Sequence, residues 1–131
     1  MDIQTSACTD LGRIKSRNED SYICRTGFDN QIGIDALLIV ADGIGGNAAG
    51  KVASNMAVNG ILTALEERAV NLGQDTLLGE LKTIIENVNL AIFQAACNTE
   101  TIGMGTTCTS IVIAERRLFI THVGDSRAYL Y

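Results

Sequence analysis

Not one proline occurs in the 131 residues, and no repeated or low-complexity segment takes the place of a linker. The length therefore reads as one domain with a real core, since domains cluster near about 100–150 residues. Basic residues are in deficit: ten Lys and Arg against fifteen acids leave a net charge of −5. That balance lacks the clustered cations a nucleic-acid surface requires, so no nucleic-acid partner is expected. No charged segment leading into an apolar one opens the chain, and no apolar run approaches the ~20 residues of a membrane span. Neither export nor a membrane is expected, and the compartment reads as a reducing cytoplasm. Cys8, Cys24, Cys97 and Cys108 are scattered without a Cys-x-x-Cys pair. This spacing excludes a zinc ribbon and argues against a disulfide framework, leaving buried free thiols as the expectation. His122 has no second histidine with which to build a zinc site and reads as a hydrogen-bonded structural residue.

What the chain does have is an ordinary globular share of apolar residues, 47%, arranged in two periods. Residues 3–8 alternate loosely and predict a first strand; the polar stretch 12–20 predicts a loop; residues 21–25 predict a second strand. A hairpin-like connection over 26–35 leads to the apolar run 36–41, a buried strand ending in Asp42 and three closely spaced glycines. From Ala49 to Leu65 the apolar residues recur at helical steps, with Asn47 as a candidate N-cap. Gly50 and Gly60 weaken that helix, which implies close packing against a sheet. A second helix, capped by Asp75, carries the stripe Leu78, Leu81, Ile85, Val88, Ile92 and Ala96. Strands are then predicted over 106–114, 118–123 and 127–131, the first two joined by a tight turn at 115–117. Met56, Phe93 and Phe119 read as core. Strands in runs separated from helices in a run indicate α+β with mostly antiparallel pairing.

Carboxylates stand at the ends of several of these elements. Asp42 and Asp125 each follow an apolar strand and adjoin glycine, while Glu19 and Asp20 open the second strand. Acids gathered at one rim repel one another unless cations neutralise them, and hard ions such as Mg²⁺ or Mn²⁺ prefer oxygen ligands. A metal site and a merely structural acid cluster both fit this pattern.

The stretches Ser16-Arg-Asn-Glu-Asp20, Val40-Ala-Asp-Gly-Ile-Gly-Gly46, Gly103-Met-Gly-Thr-Thr107 and Val123-Gly-Asp-Ser-Arg-Ala-Tyr129 resemble, in order and spacing, four motifs of the PPM-type (type 2C) metal-dependent serine/threonine protein phosphatases. The bacterial subgroup is the closer likeness. The resemblance implies an α-β-β-α layered antiparallel sandwich, of which residues 1–131 would be the N-terminal part and an incomplete half. It implies hydrolysis of phosphoserine and phosphothreonine in proteins by a metal-activated water, with two or three Mg²⁺ or Mn²⁺ ions, opposing a protein kinase. By position, Asp42 would bridge two metals, the Gly43 carbonyl and Glu19 would add ligands, and Asp125 would hold a further ion. Asp20 would orient the water, and Lys15 stands where the family has a phosphate-gripping arginine. Gly103 to Thr107 would shape turns, and Arg127 would pair with an acid beside the Gly-Asp-Ser turn.

Three departures follow from the same comparison. Lys15 keeps the charge of arginine but loses its bidentate fork, with Arg13 and Arg17 nearby. Ile44 stands where some members have a histidine. The later family segment, with two more metal-binding aspartates, has no counterpart in these residues, so negligible turnover is expected of the chain alone. A non-catalytic, phosphatase-like binding or regulatory module is the alternative. Asp42-Gly-Ile-Gly45 also matches a signature of the histidine-kinase-type ATPases, but that fold places a helix before it, and here a strand precedes.

Overall fold

The computed structural model describes residues 2–28, 33–46, 48–68 and 74–131. The chain builds β1 (Asp20–Thr26), β2 (Ala36–Ile44), α1 (Ala49–Arg68), α2 (Gln74–Ala95), β3 (Gly105–Thr106), β4 (Cys108–Ala114) and β5 (Arg117–Val123). The strands form one antiparallel sheet in the order β1-β2-β4-β5, with β3 paired to the end of β2. The expected α+β class is therefore met as two layers, one sheet and one layer of helices.

Alternation decides which face is covered. In β2, Leu37, Ile39 and Ala41 are buried, while Val40 and Ile44 between and beyond them are exposed. Val112 pairs with Leu37 in register and is equally buried. Against them α1 places Ala53, Ala57, Ile61 and Leu65 at steps of four residues. Each large apolar side chain buried here contributes about 1.5–3 kcal/mol relative to exposure, which is why this face is the core. The small residues bring the helix close. A Cβ on Gly43 would stand 2.0 Å from the Gly50 carbonyl oxygen, and one on Gly50 would stand 2.8 Å from the Gly43 carbonyl carbon. Strand and helix backbones are in direct contact at that point. Gly60 serves a different neighbour: it faces Val88 of α2, so its close packing is helix on helix, not the expected helix on sheet.

Several expectations need correcting. Residues 3–8 and 127–131 form no strand. Parts of both lie over the sheet face opposite the helices, where Ser6, Ala7 and Cys8 with Arg127 and Ala128 bound an apolar cavity of about 260 Å³ floored by Leu38, Val40 and Ile111. Lying across a face leaves no free edge for ladder bonds. The α2 stripe runs through Leu77, Leu81, Ile84 and Ile92; Leu78, one step around the helix, is 56% exposed. Phe93 is exposed too, because only one side of α2 meets the rest of the fold, whereas Met56 and Phe119 pack against the core. The helix begins at Gln74, before Asp75. The Asn47 cap and the connections at 29–32 and 69–73 fall outside the described residues. All four cysteines are free, but only Cys108 is buried, and burial pushes its thiol up to about 11.

The 115–116 turn is as tight as expected. Glu115 and Arg116 both take positive φ, 47° and 64°, and join β4 to β5 as a two-residue hairpin loop. The Glu115 N–H donates to Asp35 Oδ2 at 3.1 Å.

The backbone contact and the exposed α2 face make opposite predictions. Gly43→Ala is expected to lose about 3 kcal/mol or more, since the collision is with backbone that cannot rotate away. Phe93→Gln is expected to stay within about 0.5 kcal/mol of wild type. Urea unfolding of both variants checks the pair.

Candidate functional site

The end of β2 brings the acids together. Asp20 of β1 and Asp42 of β2 stand directly opposite each other in the ladder. Like charges in that relation destabilise a sheet unless a cation or a proton intervenes. Asp42 Oδ1 is buried and has no hydrogen-bond partner. Its carboxyl is pushed above the usual carboxylate value, first by burial, then by the charge of Asp20, with Asp125 adding to the effect and Lys15 opposing it. Asp20, Asp125 and Lys15 thus all lie within electrostatic range of Asp42.

The backbone around Asp42 is held at every point. Its N–H donates to Thr107 Oγ1 at 2.9 Å, and its carbonyl accepts from the Thr107 N–H at 2.9 Å and from Thr106 Oγ1 at 3.1 Å. Thr107 Oγ1 also shares a hydrogen bond with Ser126 Oγ, 2.8 Å away. That bond ties the turn bearing Asp125 to the end of β2. Gly124, at φ 105°, closes the same contact, since a Cβ there would stand 2.7 Å from Thr107 Cγ2. Thr106 and Thr107 therefore position the acids, a larger part than the turn-shaping expected of them.

Asp20 is steadied separately. Its N–H donates to Asn18 Oδ1 at 3.0 Å; Asn18 Nδ2 donates to Thr9 Oγ1, and the Thr9 hydroxyl donates to Asp20 Oδ2 at 3.3 Å. Glu19 sits beside the glycine contact, its carboxyl carbon 3.0 Å from where a Gly50 Cβ would be. Two open clefts flank the acids. One of about 530 Å³ is lined by Lys15, Ser16, Arg17, Glu19, Gly45 and Ala48. The other, of about 500 Å³, has Arg13, Lys15, Asn18, Glu19 and Asp20 on its wall. Lys15 and Glu19 line both clefts.

The acids line a rim and do not close a cage. Among the described residues, no three His, Cys, Asp or Glu groups gather tightly enough to hold an ion unaided. The donor set still suits a hard cation: an oxygen without a partner, opposed carboxylates and adjacent carbonyls are oxygen ligands only. His122 takes no part, being paired across the strands with Thr109 at 2.9 Å, as expected. Arg127 departs from expectation. Its Nη1 reaches Tyr129 Oη at 3.4 Å, because the segment it lies on crosses the sheet face away from the acids.

The profile of the family described as Protein phosphatase 2C matches residues 13–131. The chain belongs to the protein phosphatase 2C family. This type 2C chain is 40% identical over 123 residues to the serine/threonine phosphatase stp of Listeria monocytogenes, covering 93% of itself and 47% of that relative. It resembles the solved structure of the serine/threonine phosphatase Stp1 from Staphylococcus aureus with a TM-score of 0.79 at 33% identity, covering 92% of itself and 46% of that chain. A structure of the PstP catalytic domain in complex with two manganese ions matches with a TM-score of 0.65 at 38% identity, over 90% of this chain and 46% of that one. The chain thus spans about half the length of the curated relatives it matches. No helix among the described residues is long and apolar enough to cross a membrane.

The raised Asp42 value has a signed consequence. A carboxyl that holds its proton more tightly when folded stabilises the fold below its ordinary value of 3.8, and that contribution is lost as pH climbs through the raised value. Without divalent ions, Asp42→Asn should therefore gain on wild type in melting temperature as pH rises from about 4 to about 7. Melting curves in chelator across that range check it.

Proposed function

We propose that this chain supplies one side of the active site of a Mg²⁺- or Mn²⁺-dependent phosphatase acting on phosphoserine and phosphothreonine in proteins. In this reading residues 1–131 are the N-terminal part of a single type 2C domain. The observation that carries it is the opposed pair Asp20 and Asp42, with a buried, unpartnered oxygen on Asp42. An oxygen left so costs about 1–3 kcal/mol or more, and a cation relieves both that cost and the repulsion. Asp42, the Gly43 carbonyl, Glu19 and Asp125 are the ion-holding residues in this proposal. When bound, the ions supply the positive charge that acidifies water and neutralises a phosphate.

The chain's own groups do the rest. Asp20, gripped by Thr9 and opposite Asp42, is placed to accept a proton from water and to hold that water in line. Lys15 meets the phosphate dianion from the wall shared by both clefts; arginines 13 and 17 widen the positive field around it. The clefts are open, which suits a phosphorylated side chain carried on a protein. The relatives are named serine/threonine phosphatases, and manganese occupies one of their structures. A protein kinase that makes the phosphoprotein, a cytoplasmic setting and a part in signalling complete the proposal.

A second reading, a phosphatase-like module that binds phosphoproteins without turnover, is favoured by Lys15 in place of a forked arginine and by the lack of a closed three-ligand cage among the described residues. The two separate in one assay. In the longest protein that carries this chain, Mn²⁺-dependent hydrolysis of p-nitrophenyl phosphate is expected to fall about a hundredfold or more in Asp42→Asn, the scale of lost transition-state electrostatics. Absence of Mn²⁺-dependent hydrolysis in the unsubstituted protein would favour the binding module. Lys15→Arg is expected to lower KM for a phosphopeptide several-fold, with little change in kcat, by restoring two-point phosphate contact.

A further inference from the structure

Beneath the rim lies a buried polar network that the proposed reaction does not use directly. Ser54, on α1, is fully buried among alanines. A hydroxyl there is costly unless bonded, and alanine would serve the packing alone. Its partners account for it: Ser54 Oγ donates to the Glu19 carbonyl at 2.6 Å and lies 2.8 Å from Ser21 Oγ. Lys51, one turn earlier, directs its ammonium to the Asp20 carbonyl and, at 3.1 Å, to Ser21 Oγ. Ammonium protons can only be donated, so Ser21 accepts from Lys51 and has its own proton free for Ser54 or for Asn55 Oδ1, 2.9 Å away. Lys51, Ser21, Ser54 and the Glu19 carbonyl are thus linked in one continuous hydrogen-bond network.

Resting on the proposed ion site, we infer that Ser54 and Lys51 are positioning residues for its carboxylates. The network ends on the carbonyls of two consecutive residues, Glu19 and Asp20. Holding both carbonyls fixes the peptide planes on either side of Asp20, and with them the direction in which its side chain leaves the backbone; for Glu19 it fixes the plane that follows. The glycine contact puts the same turn of α1 against Gly43. One helical turn thus registers Glu19 and Asp20 against Asp42. Outer residues of this kind typically change metal affinity about 10–100-fold when removed.

The test measures Mn²⁺ binding by the longest protein that carries this chain, from the loss of the free-ion paramagnetic resonance signal, beside thermal melting. Ser54→Ala and Lys51→Met are each expected to weaken Mn²⁺ binding about tenfold, and Lys51→Arg to restore most of it. Ser110→Ala is the control, since it removes an equally buried hydroxyl, 2.6 Å from Thr121 Oγ1 and remote from the acids. It should lower the melting temperature and leave Mn²⁺ binding within about twofold of wild type. Lys51 is only half-buried, so its variants remain informative if Ser54→Ala fails to fold. Lys51→Met binding as wild type does, or Ser110→Ala weakening binding as much as Ser54→Ala, overturns the inference. Asp42→Asn tells the two failures apart: if it binds Mn²⁺ like wild type, or if wild type shows no binding, the ion site itself is wrong.

Discussion

The backbone contact between Gly43 and Gly50 sets the geometry of everything around it. Neither position has room for a methyl group, so β2 and α1 meet main chain to main chain. That approach lowers α1 until its buried face reaches the β1 residues as well, where Ser54 and Lys51 find the carbonyls of Glu19 and Asp20. It also places Asp42, the residue before Gly43, at a strand end that cannot shift without moving the helix. The rim acids therefore inherit the rigidity of a helix–sheet contact even though Glu19 and Asp125 belong to loops.

Electrostatics then works against the fold at that same point. Asp20 opposite Asp42, with Asp125 in range, is an arrangement a sheet selected for stability alone would avoid. Lys15 offsets part of the repulsion from the loop, and Lys51 is spent on the Asp20 carbonyl and the Ser21 hydroxyl instead of on carboxylates. Local rules broken at one place, where Asp42 Oδ1 lies buried without a partner while the backbone beside it is bonded to Thr106 and Thr107, are what a binding site looks like in a consistent fold.

Much of this was legible in the residues. The apolar run into Asp42 and its glycines announced a buried strand ending at the surface, and the helical steps from Ala49 to Leu65 announced α1. The order and spacing of four short motifs were enough to indicate the family. What could not be read has physical reasons. Leu77 and Leu78 are adjacent, so periodicity alone could not say which one turns inward. Residues 3–8 and 127–131 have strand-like composition, but composition does not reveal whether a sheet offers them an edge or a face. Ser54 and Lys51 look like ordinary polar helix positions until the partner carbonyls, more than thirty residues away, are seen. Thr107 was readable as a turn former, yet its hydroxyl acts on a residue 65 positions earlier.

That last separation bears on how the molecule comes together. The β4–β5 hairpin and the β1–β2 pair join neighbours in sequence, and the two helices lie between them. Asp42 meets Thr107 only when the 65-residue separation between them has been closed, a closure whose entropic cost no local propensity can offset beforehand. The β1–β2 pair alone opposes Asp20 and Asp42, while the β4–β5 hairpin alone carries none of the proposed ion-holding acids. A folding chain accordingly meets the repulsion between Asp20 and Asp42 as soon as β1 pairs with β2, and only the later seam brings Thr107, and with it the turn bearing Asp125, to steady that strand end.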